Sequence, residues 1–295
     1  MSDLSSYIPK QLQERAQRTM VRLDDHLSHL GRVLSTAAGT DKFLLLIYYT
    51  LKLVYPQLAR LRALRTQRFL HSLARRAQAT LLPGEAVVAT FDKGTLPGDE
   101  HGTLGDLEAS SRALAGLISD FRVFVRCWGL IGIYAWGRRT WSNPPADSVV
   151  KTITWIQIAA NVGFQYFENV AYLAGKGVLR GPRYDAIAQK QYWLWSSKCW
   201  MVHVGMEAVR LLRVWQLSEQ DKSIQGSEDG KGKAKVDVQE EAKAWRRAWI
   251  VNAAYAPMTV HYGFEPGYLS DEQLGLLGVV AGTIGLSNIW KQTAA

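Results

Sequence analysis

Between Asp41 and Glu85 the chain has no acidic residue, while Lys42, Lys52, Arg60, Arg62, Arg65, Arg68, Arg75 and Arg76 are all basic. Guanidinium and ammonium groups at this density hold anions, phosphate above all. The whole chain has 35 Lys and Arg against 26 Asp and Glu, a net charge of +9. Residues 42–84 supply +8 of it, and the remainder carries 27 bases against 26 acids. The basicity is therefore local, which points to an anionic surface, either nucleic acid or lipid headgroups.

A second set of polar residues lies inside an apolar segment, "TWIQIAANVGFQYFENVAY". At 100° per residue, Thr154, Gln157, Asn161, Gln165, Glu168 and Tyr172 fall within about 80° of one helix face. The other faces are Ile, Trp, Val, Phe and Ala. Such a stripe lines a polar pore, or it knits a bundle through interhelical hydrogen bonds. The bundle needs one partner surface and a pore needs several assembled stripes, so the bundle is favoured. Glu207, with His203 and Arg210, offers partners on the following helix.

Covalent and metal chemistry find no support. No GxSxG, HExxH, GxxxxGK[ST] or CxxC occurs, and "AGKGVLRG" (174–181) lacks phosphate-loop spacing. The six histidines are scattered except His26 and His29. Cys127 and Cys199 are far apart in apolar surroundings and read as small hydrophobes. The expectation is a protein that is not an enzyme and has no cofactor or metal.

The elements that must position these residues are helical. Apolar positions Leu12, Met20, Leu23, Leu27, Leu30 and Leu34 recur at helical spacing over 8–38. "AAGTDK" then breaks the pattern, with Gly39 as the stop and Thr40 or Asp41 as the next cap. "FLLLIYYTLKLVY" (43–55) is nearly all apolar, and Pro56 predicts a kink or restart. Helices follow over 110–139, 147–174 and 184–217. No stretch alternates with period two, so the fold class is all-α.

The pattern divides the chain into 1–82, an N-terminal helical region; 83–107, a loop rich in Gly, Pro and acid; 108–217, a central helical region; 218–244, a flexible charged linker; and 245–295, a hydrophobic anchor. The N-terminus has no apolar signal-peptide core, and no Asn-x-Ser/Thr acceptor occurs. The chain is expected on the cytosolic side of the secretory system.

Residues 273–290 are 18 residues without formal charge, about 27 Å of helix against a hydrocarbon core of about 30 Å. Trp290 and Lys291 sit where an aromatic anchor and a snorkelling base belong. Gly278 and Gly282 form a GxxxG pair, which lets helices pack closely. Residues 248–264 are a weaker partner span, holding Asn252, Pro257 and His261. The segment between them carries no base, whereas Lys243, Arg246 and Arg247 flank the other end, so both outer ends are expected in the cytosol. Trp141, Trp245, Trp249 and Trp290 lie near segment ends, as an interfacial belt does. The expected architecture is a membrane-associated helical bundle with a basic amphipathic helix and a C-terminal transmembrane helix or hairpin.

On a helical wheel of residues 66–82, Phe69, Leu70, Leu73, Ala74, Ala77 and Leu81 share one side. Arg68, His71, Ser72, Arg75, Gln78 and, at the edge, Arg76 share the other. Such a helix fits the headgroup plane, where inserting it into one leaflet favours curvature. Arg60 and Arg65 extend the basic set. No nucleic-acid reading motif accompanies it, so the expected partner is an anionic lipid surface and not nucleic acid.

"GTDKFLLLIYYTLKLV" (39–54), "SSRALAGLISDFRVFVRCWGLIGIY" (110–134) and "YFENVAYLAGKGVL" (166–179), followed by a C-terminal hydrophobic helix, resemble the peroxisomal biogenesis factor 11 family in its fungal form. The resemblance implies a peroxisomal membrane protein that elongates the membrane before fission and controls organelle number. It implies self-association and recruitment of fission machinery. The membrane-remodelling helix of the family carries over to residues within 57–82, chiefly Arg68, Arg75 and Arg76 with Phe69, Leu70 and Leu73. The metabolite channel proposed for family members would match the 154–172 stripe through Gln157, Asn161, Gln165 and Glu168. "RLDDHLSHL" (22–30) also matches a degenerate nonapeptide that targets proteins to the peroxisome matrix, though the same residues make a helix face.

Overall fold

The computed structural model describes residues 10–82, 85, 86, 88, 90, 104–225 and 235–294. Among the described residues there are eight α-helices and no strand. They are α1 Lys10–Leu34, α2 Ala37–Thr80, α3 Leu104–Arg126, α4 Gly129–Ser142, α5 Ser148–Gly175, α6 Ala186–Gln225, α7 Lys235–Gly263 and α8 Asp271–Gln292. α2 is sandwiched between α8 and α3, α5 pairs with α6, and α7 joins α6 to α8.

Three boundaries differ from expectation for local physical reasons. α1 ends earlier, and Gly39 lies inside the first turn of α2 rather than stopping α1. Thr36 is the N-cap, its Oγ1 accepting from the Gly39 N–H at 3.0 Å. A Cβ on Gly39 would stand 2.0 Å from the Val33 carbonyl oxygen, so only glycine fits this reversal. α2 then runs without a break through Pro56. A proline inside a helix costs about 3 kcal/mol, and contacts of the preceding turn work against that cost. Just before Pro56, Lys52 Nζ and Tyr55 Oη bond the Asp271 carboxylate at 2.8 and 2.6 Å, and the Arg112 guanidinium lies 4.4 Å over the Tyr55 ring. The helix expected over 110–139 is instead two, α3 and α4. Asn169 Nδ2 donates to the Cys127 carbonyl at 3.0 Å, which gives that oxygen a partner at the break.

The stretch 218–244, read from composition as a linker, is helical at both ends. α6 continues to Gln225 and α7 begins at Lys235. Residues 226–234, and most of the 83–107 loop, lie outside the described residues.

The C-terminal helix is placed by glycines. α8 runs antiparallel to α2, and Gly275, Gly278, Gly282 and Gly285 face it in order. A Cβ added at Gly275 would come within 2.8 Å of Leu53, at Gly278 within 2.0 Å of the Tyr49 ring, at Gly282 within 2.7 Å of Leu45, and at Gly285 within 3.2 Å of Lys42. The expected Gly278–Gly282 pair is thus part of a longer seam against α2. The seam bounds a core of Leu45, Tyr49, Met258 and Leu274. A reciprocal capping box of Ser270 and Gln273 opens α8.

Gly278→Val is expected to separate α2 from α8, because the Tyr49 ring sits in the core and has no free direction to move. Overpacking of this kind costs about 1–3 kcal/mol or more. The check is the thermal midpoint and trypsin resistance of the detergent-purified chain, beside Leu276→Val at a position 57% exposed. Equal stability of the two variants would remove the seam from the account.

Candidate membrane-binding surface

Tertiary contacts divide the basic block. Lys52 pairs with Asp271 at 2.8 Å, Arg60 with Glu272 at 2.7 Å and Arg62 with Glu108 at 3.4 Å. Acids from α8 and α3, distant in sequence, therefore neutralise the first part. Arg65, Arg68, Arg75 and Arg76 are exposed and make no ion pair with any described residue. They occupy the last four turns of α2. The pairs Asp41–Arg122 and Arg62–Glu108 make α3 antiparallel to α2, so α3 starts beside the middle of α2. Beyond Tyr55 no α2 residue is fully buried.

The two faces of the wheel separate only in part on this segment, since Ala74 of the apolar side is exposed and Ser72 of the polar side is half-buried. Phe69, Leu73, Ala77 and Leu81 are half-buried, while the four arginines, His71 and Gln78 are exposed. Leu70, expected on the apolar side, is 42% exposed. Arg60, also in the expected membrane-binding set, pairs with Glu272 while its side chain stays 65% exposed.

α2 and α8 being antiparallel, the arginine tip extends past the N-terminal end of α8. Lys42 lies beside Gly285 near the other end, together with Arg247 and Lys291. The chain thus has basic groups at opposite ends of the α2–α8 pair. α8 is the one helix among the described residues long and apolar enough to cross a membrane, and α7 does not meet that standard.

The α5 stripe turns inward. Gln157, Gln165 and Glu168 are 2%, 3% and 4% exposed. Gln157 Nε2 donates to Glu207 Oε2 at 2.8 Å, and Asn161 Nδ2 lies 2.8 Å from His203 Nδ1. Arg210 holds the same Glu207 carboxylate through two bonds, at 2.8 and 2.6 Å. The partners expected on the following helix are brought to α5. Two other contacts had no signal in the stripe. Arg126 of α3 grips Glu168 through Nε at 3.0 Å and Nη2 at 2.8 Å, and Gln165 donates to Asn169 Oδ1 at 2.7 Å. Asn169 falls off the expected face by one residue, and only its position beside the α3–α4 break gives it a role.

Charge also fixes the ends of α5. Asp147 is the N-cap, accepting from Val150 N–H at 2.9 Å, and is bound by Arg213 at 2.7 Å. The Arg213 guanidinium, followed by the Val150 N–H, holds the Asp147 carboxyl below the ordinary carboxylate range. At the other end the Asp120 carboxylate beside Lys176 holds that ammonium above its usual value.

A second exposed apolar stripe belongs to α1. Leu12, Met20, Leu23 and Leu27 are 55%, 72%, 56% and 57% exposed. Their spacing marked a helix, but the sequence held no sign that the bundle would leave this face uncovered. The nonapeptide stretch lies within α1. His29 in it meets α8, Nε2 lying 3.0 Å from the Trp290 carbonyl oxygen and the two rings 3.9 Å apart. Of the four tryptophans expected in a belt, Trp141 is 78% exposed, whereas Trp245 donates to the Leu211 carbonyl and Trp290 packs on His29. Among the described residues α4 is covered by little beyond α5 and exposes Ile131 and Tyr134 at 67% and 70%. Contiguous apolar exposure of this kind marks a membrane or protein contact.

Comparison with known proteins adds three findings. The family model described as "Peroxisomal biogenesis factor 11" matches residues 111–290, well over half of the chain. An uncharacterized protein of Schizosaccharomyces pombe is 26% identical over 180 residues, covering 60% of this chain and 76% of the yeast protein. No solved structure matches the chain.

Proposed function

The chain belongs to the peroxisomal biogenesis factor 11 family, and from that premise we propose that it remodels and elongates the peroxisomal membrane before fission. Family membership carries the broad role, peroxisome biogenesis at the peroxisomal membrane. The mechanism rests on one observation, four arginines without ionic partners among the described residues on an amphipathic segment, while their neighbours in sequence are neutralised. An anionic leaflet supplies the missing counter-charge. Wedging of Leu70 and Leu73 between headgroups expands that leaflet and bends it. Self-association through the exposed α1 and α4 faces, and recruitment of fission machinery, belong to the same reading.

Cytosolic chain termini and an arginine tip on the cytosolic leaflet are both met when the α2–α8 pair lies along that leaflet. An upright pair would separate its two basic ends by the length of α8, about 33 Å for 22 residues. The pore reading has less support, because the stripe that would line a pore is engaged by α3 and α6 side chains.

A tagged copy at raised expression is expected on elongated or multiplied peroxisomes. Tag on peroxisomes of unchanged shape and number would overturn remodelling and favour an adaptor. In intact organelles, single cysteines at positions 65 and 291 are expected to react with the same impermeant label. Labelling of position 291 alone would stand α8 upright and move the arginine tip off the cytosolic leaflet.

A further inference from the structure

At the end of the bundle away from the arginine tip, α2, α6, α7 and α8 enclose an open cavity of about 810 Å³. Three cations reach it, Lys42 from α2, Arg247 from α7 and Lys291 from α8, with Trp200 and Tyr255 on the wall. Their counter-charges are spent elsewhere. Asp41, next to Lys42, is held by Arg122 at 2.9 Å. Glu207, the acid of the cavity wall, is held by Arg210 and Gln157. Glu240, which feels Lys291 and Arg247, is paired with Lys243 at 2.8 Å. Among the described residues neither Lys42 nor Lys291 makes a hydrogen bond or ion pair, and Arg247 has one long contact, 3.5 Å to Asn288 Oδ1.

The fold builds this arrangement. The Lys42 stem lies across Gly285, where a Cβ would stand 3.2 Å from Cδ, so the glycine gives the stem its path. Two ammonium groups and a guanidinium from three different helices meet at one opening, beside aromatic rings that an acyl or glycerol portion can cover. Basic clusters beside a bilayer surface attract anionic lipid headgroups in this way.

We propose that this cavity binds a phosphate monoester, presented by the headgroup of an anionic lipid. Lys42, Arg247 and Lys291 supply the charge, and Trp200 and Tyr255 the apolar wall. The site is separate from the Arg65–Arg76 surface. It has a defined number of places, whereas that surface responds to bulk charge. It rests on the membrane reading only for the source of its ligand.

The test uses full-length protein in phosphatidylcholine nanodiscs, with and without phosphatidylinositol monophosphate, read by native mass spectrometry. Saturable retention of the phosphorylated lipid is expected in the wild type and in the Arg65, Arg68, Arg75 and Arg76 to Gln variant. It is expected to weaken about tenfold or more when Lys42, Arg247 and Lys291 are changed to Gln. Because the triple variant could fold poorly, Lys291→Gln alone, at an exposed position, is expected to lose a few-fold of the retention, about what one charge contributes. Lys42→Arg, which keeps the charge, is expected to retain the lipid. Inorganic phosphate and soluble inositol phosphate, added separately, distinguish the sources. Binding of these without lipid retention would overturn the lipid assignment. Unchanged retention in both charge-removing variants would overturn the cavity itself. Loss in the Arg65–Arg76 variant alone would assign the lipid to the amphipathic surface and leave the cavity without a ligand.

Discussion

Changing Arg65, Arg68, Arg75 and Arg76 to Glu is expected to abolish binding to anionic vesicles, and in cells the elongation of peroxisomes that we propose. These four groups have no ionic partner among the described residues, so the whole of their charge is available to a leaflet. Each base near an anionic surface contributes about 1 kcal/mol. Removing four costs about 4 kcal/mol, nearly a thousandfold in affinity before screening, and reversing them costs more. The bundle should survive, since each is exposed and none holds another helix. Flotation with phosphatidylserine vesicles over a salt series measures the loss. Wild-type binding should fall steeply with salt while that of the variant is absent throughout. A parallel Arg60→Glu variant is expected to lose stability as well, because it opposes Glu272 of α8. Retained elongation by the quadruple Glu variant would sink the proposed mechanism.

Arg126→Ala is the second large effect, and it falls on stability. Glu168 is 4% exposed and both of its oxygens are taken by Arg126. Removing the guanidinium leaves a carboxylate buried without a partner, which costs about 3–5 kcal/mol. A fall of the thermal midpoint in detergent is the expected result. The double change Arg126→Leu with Glu168→Leu should recover much of it, since a buried ion pair can be exchanged for apolar residues at little net cost. Were the stripe a pore wall, Glu168→Leu alone would act on solute flux through reconstituted vesicles and barely on stability. The bundle reading expects the reverse, a loss of stability with flux at background in wild type and variant alike.

Helix content and the two functional stripes were legible because both are periodic in the chain. Phe69, Leu73, Arg68 and Arg75 declare their faces by spacing alone, and so do Gln157, Asn161, Gln165 and Glu168. The register of contacts was not legible. That Asp271 meets Lys52 and Tyr55, and that Arg126 rather than an α6 residue holds Glu168, depends on antiparallel packing of helices far apart in sequence. At Pro56 local propensity allows a restart, and α2 instead continues through it beside its contacts with α8.

An all-α chain, an apolar C-terminal helix with glycines for close packing, and a basic block without acids are all readable along the sequence. Composition and period are local quantities, and these properties follow from them. The tertiary structure decided which charges remain available. It paired Lys52, Arg60 and Arg62 with acids from α8 and α3, left Arg65, Arg68, Arg75 and Arg76 exposed, and gathered Lys42, Arg247 and Lys291 at one cavity. Availability of a charge depends on the distance to its counter-charge, and that distance exists only once the helices have packed.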